Sequence, residues 1–569
     1  MGVPRRAARP QIAALAAIVV LAALLRCAGL GRELPHRVEP DAFIAYQLQS
    51  FESDPALVQG VRYADRYPSL VARALALLPY PAVPAQVAGA GAERAHLAAA
   101  ARPFLLVRAT VALFSVLGVL ATWFLARRFL APGAALLAAL FAATSLLALL
   151  FAGQARPHGI QATLALAAVL CALRVRERAT PARIALGVLA AAAAAAALQN
   201  GLFTLPPLAL AVVLGSRRRI AACAAAGGAC LAAAAAAFAF YPGLPYVDAH
   251  GVHLGPDQGG AHWIQPSLAN LGGIPALTRL LWEHDPLLLA LAPIGAIVAF
   301  VAVRRRRALA DAGERLDLAV VLAYVVPYAG VLALDPNVHD RFLLPLIPYL
   351  ACLAAAALAW LFAGAHRAVA LAAGAALVAV PLVVASCFAR TAASPDTLER
   401  AADWIRREVD PKERILTTPG TVLPLLVEAD TLREDLEDPT ELTLPWIAYQ
   451  RLLPPTRGGD RGWKLRLLPV ARRFDPHNLD VERAKAWIRE TGADLVLVED
   501  SQRIRSLYSG DAIERAAREL GELVYRSDGR IPALGDTGPI EYQGARDLAK
   551  RLLTADAFGP GILVFRIHR

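Results

Sequence analysis

The chain is dominated by apolar runs about as long as a lipid bilayer is thick. A helix needs about 20 mostly apolar residues to cross the hydrocarbon layer. Hydrophobic residues occupy 57% of the 569 positions and charged residues only 18%, against about 25% in soluble domains. The pattern predicts a polytopic α-helical membrane protein with about 11 spanning helices. The predicted spans lie near 11–30, 103–126, 130–152, 159–173, 181–198, 202–216, 220–240, 286–303, 317–334, 342–363 and 368–388.

The basic residues fall on one side of this predicted topology. If the N-terminus is inside, every basic cluster faces the cytoplasm, as expected because cytoplasmic loops are enriched in Lys and Arg. The excess of Lys and Arg, 58 against 47 Asp and Glu, then indicates cytoplasmic loops rather than a nucleic-acid partner. Segments 31–102, 241–285 and the chain after about 389 are predicted outside. The clusters are Arg5, Arg6 and Arg9; Arg127 and Arg128; Arg174, Arg176 and Arg178; Arg217 to Arg219; Arg304 to Arg307; and His366 with Arg367.

The composition changes near residue 390. Residues 1–390 are predicted to form the transmembrane domain and residues 391–569 a small soluble α/β domain outside the cytoplasm. Ser394-Pro395-Asp396 predicts a helix start with Pro395 at the first helical position. Asp480 and Gly492 should bound a second helix, and 493–498 and 561–567 read as buried strands. The segment has no Gly-rich phosphate loop or nucleophile elbow, which favours a packing or acceptor-docking role.

Three groups of polar residues stand out near the outer ends of the spans. Carboxylates in loops are often only solvated charges, but they also serve as general bases. Interfacial arginines can extend to water, or their planar fork can bind a phosphate. The histidines, with Asp248 or Asp257, suit either a sugar site or a divalent metal, and their spacing assigns no metal. The groups are Glu39 and Asp41; Arg108, Arg156 and Arg341; and His250, His253 and His262.

The order of motifs over residues 11–390 resembles the GT-C superfamily of lipid-carrier-dependent glycosyltransferases, which includes protein O-mannosyltransferases and the lipid A aminoarabinose transferase. An acidic first loop is followed by Tyr67-Pro68-Ser69-Leu70 and by a span with the early Arg108. Ala155-Arg156-Pro157-His158-Gly159 and a late span opening Asp340-Arg341-Phe342-Leu343-Leu344-Pro345 complete the set. The family's adjacent Asp-Glu is replaced by Asp41-Ala42.

The resemblance implies transfer of a sugar from a polyprenyl-phosphate donor to a glycan, lipid or protein acceptor. The reaction would take place at the outer face of the cytoplasmic membrane. Asp41 and Glu39 would be the catalytic carboxylates, and Arg341, Arg108 and Arg156 would bind the donor phosphate. The resemblance also implies substrate contacts, with candidates Tyr67, His158, His250, His253 and His262.

Two other functions fit parts of the pattern. A lipid or sugar transporter would place ionisable residues or broken helices at mid-membrane, whereas the chemically rich residues here gather in the predicted outer loops. A non-catalytic GT-C-like scaffold would explain the replacement of Asp-Glu by Asp41-Ala42.

Overall fold

Helices account for most of the chain, as expected because alanine and leucine are among the best helix formers. The computed structural model describes residues 9–39, 42, 44–45, 47–48, 68–78, 92–216, 219–241, 246–248, 251–253, 271–305, 312–336, 338–363, 366–418, 421–435, 446, 450, 462–467, 479–500, 510–527 and 548–568. The chain forms two compact units. The membrane unit is Met1–Ala28, Tyr63–Leu77 and Val107–Ser386, and the C-terminal unit is Gly29–Arg62, Leu78–Leu106 and Cys387–Arg569. Part of the first outer segment therefore clusters with the C-terminal residues.

Helix formation follows the apolar runs of the sequence. The first fourteen α-helices within the described ranges are α1 Arg9–Cys27, α2 Leu70–Ala76, α3 Ala92–Ala126, α4 Pro132–Thr144, α5 Leu146–Ala152, α6 His158–Glu177, α7 Pro181–Ala197, α8 Leu205–Gly215, α9 Arg219–Phe238, α10 Gly273–His284, α11 Pro286–Arg305, α12 Ala312–Leu334, α13 Ile347–Leu361 and α14 Arg367–Ala393. Short 3₁₀ helices, Gln199–Thr204 and Asp340–Leu346, precede α8 and α13. Two short strands, β1 Tyr246–Asp248 and β2 Gly251–His253, form an antiparallel pair.

The predicted spans are confirmed as helical elements. Within the described ranges, seven helical stretches are long and apolar enough to cross a membrane, and the pair α4–α5 makes an eighth with a bend of 51°. Shorter apolar helices cover Pro181–Ala197, Gln199–Gly215 and Pro286–Ala302. These elements correspond to the eleven predicted segments, so the chain is a polytopic helical membrane protein. The predicted loop 241–285 also contains helix α10, which the sequence prediction missed.

Small residues let the membrane helices pack at close range. A side-chain carbon at Gly295 in α11 would lie 1.9 Å from the carbonyl oxygen of Leu353 in α13. Only glycine therefore allows these two backbones to touch. Alanines, valines and leucines of α6, α7, α8 and α9 form a shared apolar core. Van der Waals packing of such small surfaces is a main source of helix association in a bilayer.

One end of the membrane unit carries an ion-pair cluster. Arg128, just after α3, contacts Glu177 at the end of α6 at 2.5 Å and Asp317 near the start of α12 at 3.9 Å. Arg176 also pairs with Asp317. The C-terminal ends of α3 and α6 and the N-terminal end of α12 thus lie together, beside two of the predicted cytoplasmic clusters.

The C-terminal unit is an α/β domain built on a five-stranded sheet with the order β4-β3-β5-β7-β6. The central strand β5 is parallel to β3 and antiparallel to β7. Alternate β5 residues enter different cores, because Leu495 and Leu497 pack with α15 whereas Val496 and Val498 pack with α17 and α18. The strands are β3 Arg414–Thr417, β4 Lys464–Leu467, β5 Leu495–Asp500, β6 Gly521–Ser527 and β7 Gly561–Ile567, and the helices are α15 Thr397–Glu408, α16 Ala429–Asp435, α17 Val481–Glu490, α18 Gly510–Leu520 and α19 Leu548–Leu552.

The helix caps of this unit were predicted with one error. Asp480 caps α17 by accepting from the backbone N–H of Arg483, and Gly492 follows with a φ of 60°, as the sequence indicated. For α15 the cap is Asp396, not Ser394. Asp396 can form a reciprocal capping box with Glu399, a pairing that Ser394 is too far upstream to make.

Candidate functional site

The candidate site of the membrane unit begins in the turn between α5 and α6. Helix α5 ends at Ala152, and α6 begins at His158 after the N-cap Pro157. Three polar residues of this turn, Gln154, Arg156 and His158, are only 2–3% exposed. Polar and charged groups inside an apolar helical unit are costly to bury and therefore mark functional positions.

The 3₁₀ helix Asp340–Leu346 forms the second wall of the site. Its Arg341 is 8% exposed, and the Arg341 backbone N–H donates to Asp340 Oδ1 at 2.7 Å. The ring of Phe342 is near two imidazoles, with centroid separations of 6.1 Å to His158 and 5.9 Å to His339. These ring contacts bring the 3₁₀ helix against the first turn of α6.

Positive charge is concentrated at this junction. The guanidinium groups of Arg341 and Arg156, together with His339, lie close enough for their charges to act on the His158 imidazole. The side chains of Arg156, His158 and Arg341, called here the basic cluster, are separated in the sequence by up to 185 positions. Burying two arginines close together is costly, and an anion bound between them would lower that cost.

The start of helix α6 adds to the positive electrostatic potential at the basic cluster. Helix α6 has 20 residues and begins at His158, so its partial positive pole lies within the basic cluster. The Nδ1 atom of His158 is buried without a hydrogen-bond partner among the described residues. A helix N-terminus with adjacent cationic side chains is a common arrangement for binding phosphate.

The break at Ser145 positions the turn and is stabilised by two buried charges from elsewhere in the unit. At the end of α4, Arg26 donates to the carbonyl oxygens of Ala142 at 3.0 Å and Ala143 at 2.9 Å. At the start of α5, Asp285 accepts from Ser145 Oγ at 2.8 Å and from the N–H of Leu146 at 2.9 Å.

Each charge opposes the nearby helix pole, a cation at a C-terminus and an anion at an N-terminus. The break leaves backbone groups that have no partner within their own helix. Arg26 and Asp285 bind several of these groups, so the bent pair keeps a defined geometry inside an apolar unit.

Two further features adjoin the basic cluster. The Tyr328 hydroxyl donates to the carbonyl oxygen of Phe342 at 2.9 Å and so anchors the 3₁₀ helix to α12. A groove lined mainly by apolar residues, including Phe151, Leu344 and Ile347, lies beside the basic cluster. Gly159 also lines it, so the groove reaches the residue next to His158.

The structure brings together three of the predicted site residues: Arg156, His158 and Arg341. Arg108 is 1% exposed in α3 but is not among the charges that act on His158. Glu39 is 2% exposed and belongs to the C-terminal unit. His253 lies in β2, and its side chain is outside the described part. Asp41, Tyr67, His250 and His262 lie outside the described residues.

Sequence reasoning did not single out Arg26, although an arginine near the end of an apolar run is a recognisable signal. It did not single out Asp285 either. Its role at a helix start 140 positions earlier has no local sequence signature.

Comparisons with known proteins identify similar folds. No protein-family model matches the chain, and no curated protein matches it either. The archaeal oligosaccharyltransferase AglB from Archaeoglobus fulgidus, solved with an inhibitory peptide and a dolichol-phosphate, aligns at 13% identity over 90% of this chain and 73% of its own, with a TM-score of 0.47. The A. fulgidus oligosaccharyltransferase in complex with Zn and sulfate aligns at 13% identity over 90% and 71%, with a TM-score of 0.45.

A third similar structure is ArnT from Cupriavidus metallidurans bound to undecaprenyl phosphate. It aligns at 15% identity over 78% of this chain and 75% of its own, with a TM-score of 0.37. At these sequence identities the likeness to all three structures concerns the fold alone.

Proposed function

We propose that this protein is a membrane glycosyltransferase that takes a sugar from a polyprenyl-phosphate donor. The observation that carries the proposal is the basic cluster. Arg156, His158 and Arg341 are buried together at the start of α6, where they would bind a lipid phosphate. Arginine suits this role because its planar fork of N–H donors matches phosphate oxygens.

The adjoining groove supports a lipid-linked donor rather than a free phosphate. It runs along apolar side chains of α5, α6 and the segment that opens α13, and it reaches Gly159 beside the basic cluster. If the donor phosphate binds the arginines, the first part of the lipid chain could pack against this apolar surface. Such a mixture of apolar walls and a few polar groups is typical of ligand sites.

The proposed reaction needs one group of residues at the acceptor and another at the leaving phosphate. An acceptor hydroxyl or amine attacks the anomeric carbon while the bond from that carbon to the phosphate oxygen breaks. The phosphate leaves with the bonding electron pair, and cationic groups on it stabilise the growing charge. The acceptor proton passes to a carboxylate, for which we propose Asp41, with Glu39 assisting.

We place this chemistry on the outer face of the cytoplasmic membrane. His158 opens α6, and Glu177, in the ion-pair cluster, closes it. A helix of 20 residues is about 30 Å long, so the basic cluster and the ion-pair cluster lie at opposite ends of one span. If the arginine-rich loops are cytoplasmic, the basic cluster faces outward. With the same orientation, the α/β domain predicted at 391–569 would be extracytoplasmic.

The proposal is tested by a transfer assay with the purified protein in lipid nanodiscs. The donor would be a polyprenyl-phosphate sugar pool extracted from the native membrane, with products identified by mass spectrometry. Arg341→Lys keeps the positive charge but loses the planar set of guanidinium N–H donors, so the donor concentration for half-maximal rate should rise. Arg341→Ala should raise it further.

The control is Arg183→Lys, an exposed arginine of α7 that pairs with Glu177 far from the basic cluster. Equal donor dependence in wild type, Arg341→Lys and Arg341→Ala would refute a phosphate-binding role. Movement of lipid-linked sugar across liposomes without any transfer product would instead show a transporter. Binding without transfer or transport would show a scaffold.

A further inference from the structure

A second cluster of chemically capable side chains lies in the C-terminal unit, apart from the basic cluster in sequence. It consists of His36 from the first outer segment and of Asp396 and Glu399 from the start of α15. One potential ligand atom from each residue lies within 4.8 Å of the other two. The side chains of His36 and Asp396 are 0% and 1% exposed.

The capping box of α15 uses one oxygen of each of its two carboxylates. Asp396 Oδ1 accepts from the backbone N–H of Glu399 at 2.7 Å, and Glu399 Oε2 accepts from the N–H of Asp396 at 3.1 Å. Asp396 Oδ2 lies 3.0 Å from His36 Nε2. The second oxygen, Oε1, of Glu399 is not needed for the box. One imidazole nitrogen and two carboxylate oxygens are thus collected at one point.

Carboxyl groups gather around this point, and one of them, Glu33, also lies 4.0 Å from the Arg32 guanidinium. Glu33 acts electrostatically on both His36 and Glu399, so His36 is surrounded by the charges of three carboxyl groups. Burial, followed by the charge of Asp396, raises the pKa of the Glu399 carboxyl to about 7.

The pKa of His36 is shifted in the same direction as the pKa of Glu399. Burial alone would lower the pKa of His36, but the charge of Asp396 and the hydrogen bond to it outweigh burial and raise that pKa. A divalent cation at this point would offset the charge of the carboxylates, since metal ions bind deprotonated ligands.

The ligands are also held in place by contacts that a metal does not have to create. Gly29 lies against the backbone of Ala392 at a φ of 75°, where a side-chain carbon would be 2.3 Å from the Ala392 oxygen. The Arg32 guanidinium stacks on Phe558 at 4.8 Å and on Phe388 at 5.7 Å. These contacts hold the segment that carries His36 beside the start of α15. The conformational entropy lost on binding a metal would therefore be small.

We propose that His36, Asp396 and Glu399 form a binding site for a divalent transition-metal cation, best matched by Zn²⁺. A nitrogen ligand with two carboxylates suits Zn²⁺. It does not suit Ca²⁺, which takes six to eight oxygens, or Mg²⁺, which prefers an octahedron of oxygens. Three protein ligands leave a fourth position for water.

The site would stabilise the segment that carries Glu39, three residues after His36. In the C-terminal unit Glu39 is itself 2% exposed. A metal at His36 would therefore restrict the chain just before the two predicted carboxylates. This consequence rests on the proposed function, whereas metal binding itself does not.

The test is zinc binding by the full-length protein in detergent. The purified protein is stripped with a chelator and titrated with ZnCl₂ by calorimetry, and Co²⁺ replaces zinc to report coordination through its visible absorption bands. Glu399→Gln is the central variant because glutamine at this position preserves a capping box but removes an anionic ligand. His36→Gln removes the nitrogen ligand. His96→Gln, at a buried histidine of α3 in the same unit, is the control.

We expect zinc affinity to fall by at least about tenfold in Glu399→Gln and His36→Gln, since even outer-shell partners of metals commonly contribute that much. His96→Gln should bind as wild type does. Zinc affinity and Co²⁺ spectra that are the same in wild type and Glu399→Gln would overturn the proposal, as would absence of binding by wild type. If His36→Gln fails to fold, the comparison of Glu399→Gln with His96→Gln decides.

Discussion

Replacing Asp285 tests whether the broken helix α4–α5 positions the basic cluster. Asp285→Ala removes the acceptor for Ser145 Oγ and for the backbone N–H groups of Leu146 and Leu147. Leaving a buried donor without a partner costs about 1–3 kcal/mol, so two N–H groups give roughly 2–6 kcal/mol. Asp285→Asn keeps one acceptor oxygen and should lose about half as much.

The measurements are the midpoint of thermal unfolding in detergent and the donor concentration for half-maximal transfer. We expect Asp285→Ala to lower the midpoint and to raise the donor requirement, because α5 leads directly into the turn that carries Arg156. Asp285→Asn should fall between Asp285→Ala and wild type in both measurements.

Asp317→Asn is the matched control. Asp317 is also buried in the membrane unit, but it pairs with Arg176 at the far end of α6. It should lose stability without a change in donor requirement. The reasoning would be refuted by a wild-type donor requirement in Asp285→Ala, or by an equal increase in Asp317→Asn, which would attribute the effect to general loss of stability.

Three other predictions concern the base, the topology and the metal. Asp41→Asn should lower the transfer rate about 10²–10⁴-fold, as loss of a general base does, while Glu39→Gln should have a smaller effect in the same assay; the reverse order would assign the base to Glu39. A reporter active only outside the cytoplasm, fused after Arg569, should give signal, and signal from a cytoplasm-only reporter would show a miscounted span. Zinc affinity should fall as pH decreases below about 7, because the pKa values of His36 and Glu399 are both raised and their protons then compete with the metal; pH-independent binding from 5.5 to 8 would contradict this.

Local sequence patterns predicted the elements of the fold well. The length of the apolar runs located the spans. Asp480 and Gly492 located the two ends of a helix in the C-terminal domain, because helix caps depend on residues only three or four positions apart. Strands β3, β4 and β6 were not predicted. Strands β3 and β4 have only four residues each, and they pair with each other across about 50 positions of chain.

The sequence predicted individual residues of the candidate site, but it did not predict which of them lie together. Arg156 and Arg341 were identified by their depth near span ends, a property that the sequence displays. That the two arginines act on the same histidine depends on the fold of the nearly 200 residues between them. Arg26 and Asp285 were not predicted because each serves backbone groups on a helix more than 100 positions away.

The contact at Gly295 would limit how the proposed lipid donor enters. Where the backbones of α11 and α13 touch, no side chains separate the two helices, and a lipid chain would not pass between them at that level. A donor diffusing within the bilayer would then reach the basic cluster through another side of the helical bundle. Gly295→Leu would force these helices apart, and its effect on lipid access would differ from that of any substitution in the basic cluster.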